Sequence, residues 1–424
     1  MNVVAAIAVV AAFGGAAALG TRAARRTNLG VWHPALAWLG LEAVFFGIGS
    51  AALAMEDGRL GPAWDVAASV MAFGLAVAAS DAIGRRRSDV TTIRASTERP
   101  DLAASDEPGI RWPVVAGMIG VGVVALLPTL LIVGLPALTP DITAARSAIG
   151  GLELQPLRVA IPAGLAAAVV VAVRNGSPGL RAVTLAAMVI ALGVELALAS
   201  RYLAAELAAA VVIALGLAGR RLPARALALA AGGGLALFLT IGVLRAAGDT
   251  NGRPVEFAVE RSISRVFLIQ PRTLDALQTA IPAEVPYFGG LTWIRRLAPL
   301  IGRDDVPNLG YWIYPRLFPD QPTPGYAAPG ILGEAWANFG PFGVAVAAGL
   351  GILAERLGAW IAARRTAVAD IAAGAVASLF LARTHAVGLT GLIVLVVLVV
   401  AWRLLAAPAA NVRSELARNV SWRA

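Results

Sequence analysis

The sequence predicts an all-α, polytopic integral membrane protein of about eleven transmembrane helices with a helical extracytoplasmic cap, and three observations carry that prediction. Of 424 residues, 58% are apolar and 14% charged, with a mean hydropathy of +0.75. Soluble domains sit near roughly 45–50% apolar and about 25% charged. The apolar residues fall in runs close to the roughly 20 that a helix needs to cross a bilayer. Basic residues, all of them Arg, alternate in density from loop to loop as the positive-inside rule requires of a multi-pass chain. The residue inventory also excludes chemistries. There is no Cys and there are two His, His33 and His385. Disulfides, thiolate nucleophiles and multi-His zinc sites are therefore ruled out, and neither a metal nor another cofactor is expected.

The spans run in order at about 2–20, 31–55, 63–82, 113–134, 158–174, 181–200, 203–219, 225–245, 338–358, 367–384 and 388–406. The first is not a cleavable signal, because its positive charges come after the apolar run. Arg22, Arg25 and Arg26 then hold the next loop inside and put the N-terminus outside. From there the inner segments carry 21 of the 35 Arg, and the short outer loops carry five: Arg59, Arg146, Arg158, Arg201 and Arg383. The C-terminus falls inside. A pI near 11.0 would suggest nucleic acid in a soluble domain. Here most of the Arg excess is an orientation signal, and no nucleic-acid partner is expected. The inner loop 84–112 is polar, 141–157 is an outer loop, and spans 181–200 and 203–219 are so closely joined that they read as two helices or a re-entrant pair. Acidic residues within spans are Glu42, Asp65, Asp81, Glu195, Glu206 and Asp370, of which Glu42 and Glu195 are deep. Each marks an ion pathway or pairs with an Arg or a helix backbone.

Residues 246–337 break the pattern, dividing the chain into transmembrane segments 1–245, a cap at 246–337 and a C-terminal transmembrane part at 338–424. This stretch of 92 residues holds 11 of the 25 Pro, 4 of the 5 Tyr, nine acidic residues and eight Arg. A loop of that length is functional or ordered. VEFAVERSISRVFLIQ (255–270) has helical spacing, with Arg261 and Arg265 one turn apart on one side. Arg272 comes just after Pro271, and TLDALQTAI (273–281) reads as a second, short helix with Thr273 as N-cap and Asp275 in its first turn. GGLTWIRRLAPLI (289–301) reads as a third helix, carrying Trp293, Arg295 and Arg296. The loop 308–330 is rich in Pro and aromatics, and GILGEAWANFGPFG (330–343) puts Glu334 and Asn338 on one face at the outer mouth of the ninth span.

Arg forks grip phosphate oxygens bidentately. Tyr and Trp offer flat faces to the C–H surface of sugar rings. A carboxylate can take the proton of a sugar hydroxyl as an anomeric bond to phosphate breaks, while Arg neutralises the departing diphosphate. A sugar linked through diphosphate to a lipid presents all these groups at this depth.

VPYFGGLTWIRRLAPLIGRDD, with PGYAAPGILGEAWANFGPFGV at a distance after it, resembles the bacterial oligosaccharide repeat-unit polymerases of the O-antigen polymerase type. The likeness covers about 90 residues together with the polytopic layout and large late loop. It implies a GT-C-like polymerase or ligase architecture. It also implies a membrane glycosyltransferase that joins polyprenyl-diphosphate-linked oligosaccharide repeat units on the outer face of the membrane, without a metal. With the Lys-free, Ala- and Gly-rich composition, it implies a bacterial cytoplasmic (inner) membrane setting. The partners implied are the lipid-linked oligosaccharide, membrane lipids, and a chain-length regulator or flippase. Glu334 and Asn338 take motif positions, and Arg261, Arg265, Arg295 and Arg296 the basic ones.

The catalytic candidates are Glu334, Arg261, Arg265 and His385, the last beside Arg383 at the outer end of the tenth span. The substrate-binding candidates are Arg272, Arg295, Arg296, Trp293, Tyr311, Tyr314, Tyr326, Trp336, Asn338 and Arg383. Structural readings stand beside these. Arg261 and Arg265 pair with Glu260 and Glu256, or grip phosphate. Arg295 and Arg296 lie on lipid head groups, or on substrate. Tyr311, Trp312, Tyr314 and Tyr326 form cap core or interface belt, or a sugar platform. Glu334 fixes the loop through backbone N–H groups, or acts as the base. A ligase transferring finished glycan and, from another class, a lipid-linked glycan flippase or transporter are the rival functions.

Overall fold

The computed structural model describes residues 1–92, 117, 119–120, 124, 127, 130–131, 134–135, 154–175, 178–197, 201–219, 223, 225, 232, 236, 240, 243, 254–295, 298–320, 325–364 and 368–384. The predicted span 388–406, most of 113–134 and 225–245, and the site residues Arg296 and His385 lie outside them, as do the side chains of Arg261 and Glu195. Among the described residues every regular element is helical. Four stretches have the length and composition of membrane spans: Asn2–Arg26, Pro34–Glu56, Leu60–Arg85 and Gly330–Arg364. Shorter apolar helices cover Ile161–Arg174, Pro178–Val194, Glu206–Leu217 and Asp370–Ala382.

The chain forms two compact units. The first is Met1–Glu98, Gly242–Ala362 and Ser378–Leu392; the second is Arg99–Ile241, Ala363–Ala377 and Ile393–Ala424. In the first unit α1 (Asn2–Arg26) buries Ala5, Val9, Ala12, Ala16, Gly20 and Ala23 on one stripe. These small side chains let backbones approach closely, the usual means of helix association in lipid. Next in the chain is α2 (Pro34–Glu56), capped by His33, whose Nδ1 accepts from the Ala35 N–H at 3.2 Å. On α3 (Leu60–Thr92), an added Cβ at Gly74 would lie 2.7 Å from Cα of Ala16. The Trp38 ring of α2 stacks on Phe73 of α3 at 4.0 Å.

An ionic cluster closes the Arg26 end of this unit. Arg26 meets Asp81 at 2.5 Å and Glu355 at 3.7 Å, and Arg85 meets Asp81 at 3.3 Å. Ser80 donates to Glu355 at 2.7 Å. Asp81 is thus one of the span carboxylates that pairs with Arg. Glu42 is different: it is fully buried, and neither carboxylate oxygen has a hydrogen-bond partner among the described residues.

The predicted break after Pro271 does not occur. α7 (Pro254–Ile263) continues through a π-turn at Ser264–Leu268 into α8 (Ile269–Ala280). Thr273 is buried within that run and donates its hydroxyl to Ile269 O at 2.6 Å, so it is not an N-cap. The physical reason lies on α2, which has its own π-turn at Ala43–Gly47 packed against the one at 264–268. Pro271 has no N–H to give Phe267 O, the bond an uninterrupted helix would make. Gly49 occupies that place instead: a Cβ added there would lie 1.7 Å from Phe267 O and 2.8 Å from Pro271 Cγ. Tertiary packing thus carries the helix through a residue that normally stops one.

The second unit is built on α4 (Leu154–Asn175), α5 (Pro178–Ala197) and α6 (Arg201–Leu217). Ile161, Leu165, Val169, Ala191, Leu207 and Val211 form its core. The closely joined spans are therefore two separate helices. Three more helices lie in the first unit's sequence range: α9 (Leu309–Leu317), α10 (Gly330–Phe339) and α11 (Val344–Arg364). The chain's last described helix is α12 (Val368–Ala382).

Candidate functional site

The ninth span does not start at residue 338. α10 stops at Gly340, whose φ of 58° and ψ of −137° are open to glycine and costly for other residues. A 3-10 turn at Gly340–Gly343 then folds the chain back. A Cβ added at Gly343 would lie 2.8 Å from the Ala335 carbonyl carbon, an approach impossible along a straight helix. α10 runs beside α8, with Gly333 against Leu277 and the Trp336 Nε1–H donating to Ile281 O at 3.3 Å. The span-length stretch Gly330–Arg364 is thus two helices, α10 and α11, and Glu334 and Asn338 stand on the short one before the turn.

Asn338 is 1% exposed and uses its whole amide. Its Oδ1 accepts from the N–H groups of Gly290 at 2.8 Å and Thr292 at 3.4 Å. Its Nδ2 donates to Thr292 Oγ1 at 2.6 Å and to Glu334 O at 2.8 Å. The backbone continues the seam: Phe288 N–H donates to Ala337 O at 3.1 Å, and Gly289 N–H to Asn338 O at 2.9 Å. Segment 289–295 is accordingly a chain of turns and not the predicted third helix, with a short 3-10 helix after it at Ala298–Ile301. Gly289 and Gly290 hold φ of 60° and 92°, and the amides that would start a helix are spent on Asn338 and α10. Trp293 meets Phe339 edge-on at 5.2 Å. Glu334, Trp293, Trp336, Asn338 and the exposed Arg295 are therefore carried by one joined substructure.

A second group lies on α9, which replaces part of the predicted Pro/aromatic loop. Asn308 caps it by accepting from Gly310 N–H at 3.2 Å, and Pro315 is tolerated near its end. The rings of Tyr326 and Tyr314 sit on Gly310 and Gly325, where added Cβ atoms would lie 2.1 Å and 2.2 Å from ring carbons. Tyr311 meets Tyr326 at 5.2 Å, and both are about half-exposed, at 55% and 47%. Gly310→Ala is expected to unseat Tyr326 and raise its solvent quenching, whereas an unchanged ring environment would count against this seat. Arg316 covers the Trp312 ring at 4.1 Å and meets Glu284 at 2.6 Å. Leu277, Ile281, Leu309, Ile313, Ala327 and Ala337 form the core beneath both groups. Nearby, the Arg303 guanidinium hydrogen-bonds Asp305 and holds its carboxyl below the usual range.

The Arg candidates are not gathered as spacing suggests. Arg272 lines an open groove with Val255, Glu256, Val259, Glu260, Ile263, Ser264 and Leu268; Arg265 is exposed and not part of that lining. The π-turn adds a residue to one turn, so α8 is rotated about the helix axis relative to α7. Arg383 is also displaced. Its neighbour Thr384 accepts from Trp38 Nε1 at 3.0 Å. Trp38 is 18 residues, roughly 27 Å, from Glu56 on α2. Arg59 at the Glu56 end bonds Asp275, and Gly61 abuts Gln278, one residue from the Leu277 that touches Gly333. Arg383, 2% exposed with its guanidinium over Phe380, therefore lies in the half of the unit away from Glu334 and not at the predicted outer mouth. Among the described residues no group of three or more His, Asp or Glu could hold a metal ion. The Asn338 seam escaped sequence reading; the only trace of it is the recurrence of small and amide residues at Gly290, Thr292 and Asn338.

No family model matches the chain, and neither a curated protein nor a solved structure does.

Proposed function

We propose that the protein is a membrane glycosyltransferase that polymerises polyprenyl-diphosphate-linked oligosaccharide repeat units at the outer face of the bacterial cytoplasmic membrane, with its N-terminus outside and C-terminus inside. The observation that supports this reading best is the Asn338 seam. It joins the two stretches that resemble the polymerase family, GGLTW and GEAWANFG, although they are 46 residues apart at the Thr292–Asn338 bond. In the proposed reaction Glu334 takes the proton of an acceptor sugar hydroxyl. The hydroxyl oxygen attacks the anomeric carbon of the donor, and the bond from that carbon to the diphosphate oxygen breaks. Polyprenyl diphosphate leaves with the electron pair, its charge met by Arg265 with Arg261 and Arg296, while Arg272, on the separate groove, is not assigned to it. Asn338 acts as a positioning residue, because its amide is already filled.

Glu334→Gln and Arg265→Ala are each expected to abolish chain lengthening in membranes while protein level persists, read as polymer length on gels. Full-length polymer in both would overturn the assignment. Products of a deletion strain separate the neighbouring activity: single capped repeat units indicate a lost polymerase, free lipid-linked polymer a lost ligase. The transporter reading draws on Glu42, a fully buried carboxylate without a hydrogen-bond partner among the described residues. Lipid-linked glycan translocation in proteoliposomes that is lost in Glu42→Gln but kept in Glu334→Gln would favour it.

A further inference from the structure

The turn that Asn338 holds presents large apolar side chains outward. Ile294, Leu300, Ile301 and Phe342 are 39%, 81%, 62% and 82% exposed. They belong to one end of the first unit: Trp293 packs on Phe339 at 5.2 Å, and an added Cβ at Gly290 would touch the Phe339 ring at 3.6 Å. Residues 290–293 therefore lie beside Phe339, where the 339–342 turn begins, with Ile294 next in the chain and Leu300 and Ile301 on the short helix Ala298–Ile301 that follows. The depth of that turn is set by connectivity, because Phe342 stands two residues before the apolar α11 begins at Val344. With α11 taken as the crossing helix, its ring stands at the level where that helix enters the bilayer. Beside these residues Arg295 is exposed and its guanidinium makes no hydrogen bond or ion pair among the described residues, whereas Arg303 is held by Asp305.

Apolar side chains of this size sink to the boundary between head groups and acyl chains, while a guanidinium stays at the phosphates. An unpaired Arg also favours anionic lipid. We infer that Ile294, Leu300 and Ile301, together with Phe342, form an interfacial anchor that dips into the leaflet, with Arg295 on lipid phosphate. Connectivity to α11 and the unpaired guanidinium of Arg295 both favour lipid over a protein partner. The anchor holds Trp293 and the α10 helix at head-group depth, and it stands whether or not the proposed reaction is correct.

The absence of native Cys makes the test direct. Single variants Leu300→Cys, Phe342→Cys and Asp304→Cys are spin-labelled in nanodiscs of phosphatidylcholine with phosphatidylglycerol. At residues 300 and 342, relaxation by oxygen is expected to exceed that by a water-soluble nickel chelate, and at residue 304 the order is expected to reverse. Dominant nickel relaxation at 300 and 342 would overturn the anchor. So would shielding from both reagents, which would mean a protein covers the patch. Adding Arg295→Glu to Leu300→Cys is expected to cut the oxygen preference by roughly twofold or more, and an unchanged ratio would remove Arg295 from the anchor. Glycan polymerisation is not part of the readout, so failure here leaves the proposed activity standing, and the reverse holds too.

Discussion

Gly49→Ala is expected to collapse the packing of α2 on the 254–280 helix and to cost about 3 kcal/mol or more. Overpacking in a well-filled interior costs about 1–3 kcal/mol where side chains can yield. Here the new methyl would sit 1.7 Å from the Phe267 carbonyl oxygen and 2.8 Å from the Pro271 ring, and neither is the free end of a flexible chain. The backbones would have to separate, and the facing π-turns at 43–47 and 264–268 would part with them. A domain's total stability is only about 5–15 kcal/mol, so loss of monodisperse protein after mild heating in detergent is the expected result. Gly40→Ala is the control on the same helix, because nothing lies within 4 Å of its added Cβ. That change should be neutral or stabilising by up to about 1 kcal/mol. Equal melting of the two variants would overturn the proposed contact.

Asn338→Ala is expected to release the 288–295 turns and to cost about 3 kcal/mol. Four hydrogen bonds disappear, and the partners left behind in a site 1% exposed include the Gly290 and Thr292 N–H groups. Each buried group left unpaired costs about 1–3 kcal/mol, against only about 1 kcal/mol net for an average bond made. Hydrogen exchange at the Gly290 and Thr292 amides should accelerate before the rest of the unit opens. Thr292→Val removes one of the four bonds, so a double-mutant cycle with Asn338→Ala should report a coupling of about 1 kcal/mol. Additive effects would show that the two side chains do not share an interaction.

Individual residues show how far local reading extends. The small, apolar α1 stripe packs as its residue types allow, because lipid-compatible packing uses groups within one or two turns, whereas the helix capped by Asn308 stands where composition read a loop. Pro271 and the Gly289–Gly290 pair do the opposite of what their types suggest. The Pro sits inside a helix because Gly49, on another segment, takes up the consequence. The glycines open turns and not a helix because the amides that would begin one are bound 46 to 48 residues away. Glu334 and Asn338 share a face as four-residue spacing requires, yet only the fold assigns the amide to the neighbouring turn. Arg261, Arg265 and Arg272 look like one set by spacing, and the intervening π-turn separates Arg272 from Arg265. Arg383 ends an apolar run and so reads as sitting at a mouth, while Thr384 beside it is tied to Trp38 deep in the unit.

By itself the sequence determined that this is a helical chain with membrane-spanning stretches and no cysteine chemistry, and that polar and aromatic residues concentrate between 246 and 337. Those properties are sums over neighbouring residues, since hydrophobic transfer adds along the chain. The tertiary structure alone decided that 254–280 is one helix, that α10 folds back before α11, and that Asn338 is a clamp. Each of those outcomes depends on a specific hydrogen-bond partner or a backbone approach across 8 to more than 200 residues. Such pairings are set by which surfaces meet, and no window along the chain contains both sides.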